Sequence, residues 1–167
     1  IGTSKGGLRT FATAVECERN GSQKLDVASP AANWSDFFPH APAAAVAQEF
    51  DLRGPALCPV AACATGLVSV QRGVELIRQG YCDTVLAGSS DASLQPVILA
   101  SFRRLGVLAH GFDHPGMACR PFDRHRSGFL IGEGGAVFVL ERWDAAKARR
   151  VTPYAEWLSG DVAADPS

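Results

Sequence analysis

The 167-residue sequence contains no apolar run long enough to cross a membrane. Its first residues show no basic-then-apolar leader. A cytoplasmic protein is the expectation. Charge of one sign is also lacking. Sixteen Lys and Arg stand against 17 Asp and Glu, a formal net charge of −1. That balance offers no field for nucleic acid, so no nucleic-acid partner is expected. The five cysteines (Cys17, Cys58, Cys63, Cys82 and Cys119) are odd in number. They include no C-x-x-C pair and meet no histidine at finger spacing, which disfavours a disulfide framework and a zinc site. Free thiols in a reducing compartment, and no metal, follow as expectations. Neither an internal repeat nor a low-complexity segment is present. The remaining composition, 47% apolar and 20% charged, is that of a globular α/β chain of about one domain.

Two glycine-rich stretches invite nucleotide readings and do not support them. Gly2-Thr3-Ser4-Lys5-Gly6-Gly7 lacks the G-x-x-x-x-G-K-[ST] order of a phosphate loop. Gly132-Glu133-Gly134-Gly135 precedes a strand pattern, whereas a dinucleotide fingerprint follows a strand and opens a helix.

Periodicity and breakers predict helices over Thr10–Arg19, Ala43–Phe50, Ala64–Arg78 and Trp143–Arg149. Short apolar runs predict strands at Ala56–Ala62, Thr84–Gly88, Gly135–Leu140 and Pro153–Leu158. Residues 21–42 read as loop with a short turn near Trp34–Phe38, and residues 96–126 as irregular. A strand, crossover helix and strand around residues 56–88 imply a βαβ unit and a mostly parallel sheet. Ile1 runs straight into the first glycine-rich loop, and the last residues are turn-like, so both ends read as cut.

Cys63 is the residue that suggests chemistry. Leu67, Val70, Val74 and Ile77 make one face of the helix after it, and Gly80 stops that helix. The thiol is thereby expected at the helix's first turn, where unpaired N–H groups and the dipole favour an anion, and the thiolate is the nucleophile. Ala61, Ala62 and Ala64 leave room beside the sulfur. A small buried cysteine packing helix on strand is the other reading of these residues alone.

Ala62-Cys63-Ala64-Thr65-Gly66 resembles the active-site motif of elongating β-ketoacyl-[acyl-carrier-protein] synthases, the condensing enzymes of fatty-acid synthesis. Further blocks resemble that family in its own order: Gly2–Gly7, Leu52–Pro55, Asp83–Gly88, Arg120–Asp123 and Gly128–Gly135. The resemblance implies a thiolase-like layered α/β fold of two similar halves. Residues 1–167 would be a partial N-terminal domain, without its first strands and its C-terminal half. It implies that Cys63 accepts the acyl group. The family's two carbanion-stabilising histidines and a supporting lysine would lie in the other half, so the isolated fragment is expected to be inactive.

The resemblance also places Lys5 and Phe102 beside the acyl pocket. Lys5 departs from the small or apolar residue usual there, and a surface lysine is the plainer alternative. Arg103 and Arg104 would form a positive rim for an acidic acyl carrier protein, or else a solvated pair. Glu133 is expected to be structural and paired with an arginine. Arg120, Asp123, Arg124 and Arg126 are expected to form a network, with Ser127 replacing the family's usual Asp. His40, His110, His114 and His125 fall in no block that resembles a family catalytic histidine. No cofactor is implied, since the substrates ride on the phosphopantetheine of the carrier protein, and the intact enzyme would be a homodimer. The Ala-Cys-Ala-Thr-Gly block resembles the fatty-acid branch more than the Ala-Cys-Ser-Ser version of modular polyketide synthases. Chain-length-factor relatives lack the cysteine. A non-catalytic scaffold or dimerisation subunit, and an unrelated thiol acyltransferase or hydrolase using Cys63 with His110 or His125, are the alternatives.

Overall fold

The computed structural model describes residues 1–3, 7, 16 and 38–164. The chain divides into two compact units. One is built from Ile1–Gly6, Ser35–Ser90 and Gly135–Ser167, the other from Gly7–Trp34 and Asp91–Gly134. The helix expected over Thr10–Arg19 and the loop over residues 21–37 lie outside the described residues, apart from Glu16, which is helical.

In the first unit, α1 spans Ala41–Glu49 and carries Pro42 in its first turn, where a missing N–H costs nothing. It ends where Asp51 turns to a φ of 47°, and the Leu52 N–H caps the Ala47 carbonyl at 2.8 Å. Helix α2 spans Thr65–Arg78. Gly80, at φ 76°, closes it: the Gly80 and Tyr81 N–H groups reach the Ile77 and Leu76 carbonyls at 3.0 and 2.9 Å. This is the left-handed cap that only glycine adopts without strain. Strand β1 covers Thr84–Ala92, β2 Glu133–Glu141, and α4 Trp143–Ala148.

The sheet is mixed. Gly2 pairs in parallel with β1, its N–H bonding the Gly88 carbonyl at 2.9 Å and its carbonyl accepting from Ser90 at 3.2 Å. Strand β2 pairs with β1 as well. Gly135 lies by Ser89 and Ser90, Ala136 by Gly88, and Leu140 beside the Gly73 site that also meets Val85 and Ala87. As β1 runs forward, its neighbours on β2 run backward, so this pair is antiparallel.

Helix α2 lies on the sheet through small residues. Its buried positions include Thr65, Ser69 and Gly73, each four apart, together with Val70 and Leu76. A Cβ on Gly73 would stand 3.0 Å from Ala87 Cβ and from Leu140 Cδ1. The expected apolar face holds in part: Val70 is buried and Val74 and Ile77 are half-buried, but Leu67 is 70% exposed, because so close a contact admits a small-residue stripe in its place.

Three further expectations are overturned. Ala56–Ala62 forms no strand and is mostly exposed. Pro55 and Pro59 have no N–H to give a ladder, and the segment is tied instead by the Cys58 thiol donating to the Pro39 carbonyl at 2.9 Å. The βαβ unit expected from it is therefore not closed by that segment. Pro153–Leu158 forms no strand either, and its Trp157 and Leu158 carbonyls are taken by the Arg78 guanidinium at 3.3 and 3.0 Å. Strand β1 runs past Gly88 through Ser89, Ser90 and Asp91, polar residues that read as a strand end; backbone pairing with Gly2 carries it on.

In the second unit, helix α3 covers Pro96–Arg104, inside the stretch read as irregular. Pro96 starts it, Arg103 and Arg104 fill its last turn where cations suit the dipole, and Gly106 at φ 69° ends it. The Gly, Pro and Arg around this run masked its helical spacing. Beyond it, Leu108 and Phe129 form a parallel bridge. The Ser127 hydroxyl accepts the His110 N–H at 3.0 Å and donates to the His110 carbonyl at 2.6 Å. Among the described residues no helix is long and apolar enough to cross a membrane.

Candidate active site

The thiol stands on a sharp elbow. Ala61 is followed by Ala62 at φ 47°, by a single 3₁₀ turn over Ala62–Ala64, and then by α2. A non-glycine residue in the left-handed region costs about 1–2 kcal/mol and persists only where its surroundings enforce it. Two hydrogen bonds do so. The Ala64 N–H bonds the Ala61 carbonyl at 2.9 Å, and the Ala61 N–H bonds Thr65 Oγ1 at 2.9 Å. Thr65 is only 4% exposed. The result lifts Ala62, Cys63 and Ala64 into solvent while Thr65, the next residue, is buried. Cys63 thus sits in the tight turn just ahead of α2, one step before the helical position expected for it.

Glycines bring this elbow onto the sheet. A Cβ on Gly66 would come within 2.9 Å of Ser89 Oγ. One on Gly2 would meet Thr65 Cγ2 at 2.5 Å and the Pro59 carbonyl oxygen at 2.8 Å. Gly2 therefore lets the chain pass directly beneath the residue that holds the turn. Cys58 and Cys82 are half-buried, whereas Cys63 and Cys119 are exposed.

Of the other site residues predicted from sequence, Lys5 lies outside the described residues. Phe102, Arg103 and Arg104 lie on α3 in the second unit, and Cys63 lies in the first. Phe102 is half-buried and meets the Phe129 ring edge-to-face, with centroids 5.5 Å apart and planes at 80°. Such a pair fixes both rings. Arg103 and Arg104 are exposed. Arg103 also lines an open groove of about 730 Å³ with Leu99, Ala100, Leu108 and His110.

The expected polar network differs from the one found. Among the described residues Glu133 pairs with no arginine; its carboxylate accepts the Leu94 N–H at 2.8 Å. Asp123 binds backbone, taking the His125 N–H at 2.6 Å, and Arg126 donates to the Asp123 carbonyl at 3.0 Å. Arg120 Nε is buried without a partner among the described residues. Among the described residues, the expected hydrogen-bonded network is carried largely by backbone groups, with the Asp123 N–H also bonding the Arg120 carbonyl at 3.2 Å. His40, His110, His114 and His125 are exposed. Among the described residues no three His, Cys, Asp or Glu side chains gather as metal ligands. Sequence reasoning missed the Thr65 hydroxyl, whose signal was a threonine at a helix start, and the Ser127 clamp on His110.

The chain as a whole is similar to known proteins. The family profile described as "Beta-ketoacyl synthase, N-terminal domain" matches residues 1–146. The ketoacyl synthase alpha subunit of the tetracenomycin polyketide synthase of Streptomyces glaucescens is 44% identical over 111 residues, 66% of this chain and 26% of the relative. The 3-oxoacyl-[acyl-carrier-protein] synthase 2 of Mycobacterium leprae is 32% identical over 166 residues, 99% of this chain and 39% of the relative. Among solved structures, a type II polyketide ketosynthase in complex with its acyl-carrier protein (AntDE:AntF) superposes with a TM-score of 0.79 at 28% identity, covering 87% of this chain and 36% of that one. A β-ketoacyl synthase from Burkholderia phymatum gives 0.76 at 33% identity, over 90% and 36%. The architecture is thus the thiolase-like α/β fold of condensing enzymes. The chain belongs to the β-ketoacyl synthase family, within its N-terminal domain. It spans between 26% and 39% of the length of these two curated relatives.

Proposed function

We propose that the intact protein carrying this sequence condenses acyl and malonyl units held as carrier-protein thioesters, with Cys63 as the acyl acceptor. The observation that carries this reading is the exposed Cys63 on its strained elbow, inside a block that resembles the family's active-site motif. The Cys63 thiolate attacks the carbonyl of an acyl thioester, and the carrier's phosphopantetheine thiol leaves. Malonyl thioester then loses carbon dioxide, and the resulting carbanion attacks the acyl-Cys63 carbonyl, releasing the thiol as the 3-oxoacyl thioester forms. Backbone N–H groups at the elbow suit the oxyanion of both attacks. Enolate stabilisation belongs to the half that this chain does not span, in keeping with the exposed positions of its own four histidines.

Phe102 and Lys5 would border the acyl chain. Arg103 and Arg104, exposed at the end of α3, offer the positive rim that an acidic carrier protein favours. The enzyme needs no cofactor of its own, acts in the cytoplasm, and pairs as a homodimer. Polyketide synthesis is favoured over fatty-acid synthesis as its setting by the higher identity to the tetracenomycin subunit, against the fatty-acid flavour of the motif itself.

The experiment is acyl transfer followed by peptide mass analysis. Full-length protein incubated with an acyl carrier-protein thioester should retain the acyl mass on the peptide containing Cys63, and Cys63→Ala should retain none. Release of 3-oxoacyl product should then require malonyl carrier protein. No acyl mass on any cysteine would leave the non-catalytic scaffold as the better reading.

A further inference from the structure

The geometry points to Thr65 as the positioning residue that holds Cys63 in its reactive presentation, by locking Ala62 in the left-handed region. The inference rests on the acyl-acceptor reading of Cys63 and goes beyond it, because Thr65 lies beneath the elbow and offers nothing to the surface.

The lock is reciprocal about Ala61. The Ala61 N–H goes to Thr65 Oγ1 at 2.9 Å, and its carbonyl receives the Ala64 N–H at 2.9 Å. Between these two bonds lies the one residue of the motif with a disfavoured backbone, Ala62 at φ 47°. The second bond is local and would form in any tight turn. The first is a side-chain bond from the helix back across the turn, so it alone couples the elbow to the buried face of α2.

Thr65 is well suited to the coupling. It is 4% exposed, and its methyl lies against the site where Gly2 carries no side chain, 2.5 Å from an ideal Cβ there. The threonine rotamer is thereby wedged, with the hydroxyl left facing Ala61. Helix α2 has no side-chain cap at its N-terminus, so this hydroxyl serves the turn that carries the thiol and leaves the helix's own first N–H groups alone. Without it, the Ala61 N–H loses its acceptor and Ala62 is free to leave the left-handed region, which swings the next residue, Cys63.

The test compares Thr65→Val, Thr65→Ser and the double variant Ala62→Gly with Thr65→Val in the full-length protein. Valine keeps shape and burial but cannot accept; serine keeps the hydroxyl; glycine at 62 adopts positive φ without strain and needs no lock. The readouts are iodoacetamide labelling of each cysteine by peptide mapping, acyl transfer to Cys63, and the melting temperature. T65V should slow labelling and acylation at Cys63 by about ten- to a hundredfold, with labelling of Cys58, Cys82 and Cys119 unchanged. T65S should retain most of the rate, and A62G with T65V should recover it. If T65V does not fold, folding and labelling of the double variant support the lock, and its failure overturns the inference. An unaltered Cys63 rate in folded T65V, or a slowed rate that A62G does not restore, overturns it as well. A wild-type Cys63 no more reactive than the other thiols would instead remove the acyl-acceptor reading, and this inference with it.

Discussion

Gly88 is the point at which the sheet has least room, and a single methyl there should be costly. The Cβ of an alanine at 88 would overlap the Ala136 carbonyl oxygen and lie 2.8 Å from Val137 Cα and 2.9 Å from the Ala136 carbonyl carbon. All three are backbone atoms of β2, so no side chain can rotate away. Ordinary contact begins at 3.4 Å. The strands would have to part by about half an ångström or more, against a normal spacing of about 4.8 Å. Overpacking of this kind costs about 1–3 kcal/mol. Each ladder hydrogen bond weakened with it adds about 0.5–1.5 kcal/mol. A total near 3 kcal/mol is a large share of the ~5–15 kcal/mol that holds a domain together.

The assay is thermal unfolding of the full-length protein carrying Gly88→Ala, with Gly134→Ala as its control on the same strand pair. A Cβ on Gly134 meets nothing within 4 Å, so that variant should melt within a degree or two of the wild type. Roughly 2–4 °C per kcal/mol holds for 150–250 residues and falls for longer chains, so in the full-length protein Gly88→Ala should melt several degrees lower or fail to accumulate as soluble protein. Equal melting temperatures for the two variants would refute the close approach of β1 and β2 on which the placement of α2 rests.

Other perturbations follow from the same geometry. Ser69 is 4% exposed and its hydroxyl finds no partner among the described residues, so Ser69→Ala should stabilise the protein by about 1 kcal/mol, read as an increased denaturation midpoint. The hydrogen bond from Arg149 holds the Glu141 carboxyl below its ordinary range. A depressed carboxylate stabilises above its unfolded-state pKa and loses that contribution as pH falls through the folded one. The melting difference between wild type and Arg149→Gln should therefore be full at neutral pH and vanish on acidification below the usual carboxylate range. Iodoacetamide should label Cys63 ahead of Cys58, whose thiol is engaged by the Pro39 carbonyl, and ahead of Cys119, which is also exposed but lacks the elbow; faster labelling of Cys119 would count against Cys63 as the acyl acceptor. Expressed alone, residues 1–167 should self-associate and make no 3-oxoacyl product. Val137, Phe138 and Val139 are 50%, 56% and 64% exposed in succession, so both faces of β2 are open, and a monodisperse monomer by light scattering would contradict this.

Much of the frame was legible from residues alone. The end of α2 followed from Gly80, and the core of β2 from the run Gly135–Leu140, because local periodicity and a glycine stop suffice for each. Helix α3 was hidden because Pro96, Gly106 and the adjacent arginines look like loop chemistry until the proline is seen to sit at a first turn. The reverse error occurred at Ala56–Ala62, where an apolar run suggested a strand that Pro59 within it and Pro55 just before it cannot pair. The place of Cys63 beside the start of α2 was legible, but not the elbow that exposes it. That depends on a φ value at Ala62 and on a bond across four residues, neither of which leaves a periodic trace.

Small residues in this chain serve two physical ends that composition alone does not separate. At 65, 69 and 73 they let α2 approach the sheet, and at 61, 62 and 64 they let the backbone turn sharply and leave the sulfur uncovered. Thr65 belongs to both sets. Its methyl packs under the chain at Gly2 and its hydroxyl holds the turn. Packing of the helix and presentation of the thiol are thereby joined at one residue. The joining has a consequence for substitutions on the sheet side: a bulkier residue at 2 would press on Thr65 before it reached solvent, and would be felt at Cys63 without touching it. Gly2→Ala should accordingly lower the rate at which Cys63 is acylated as well as stability, whereas Gly66→Ala, opposed chiefly by a Ser89 hydroxyl that can rotate aside, should leave the melting temperature nearly unchanged.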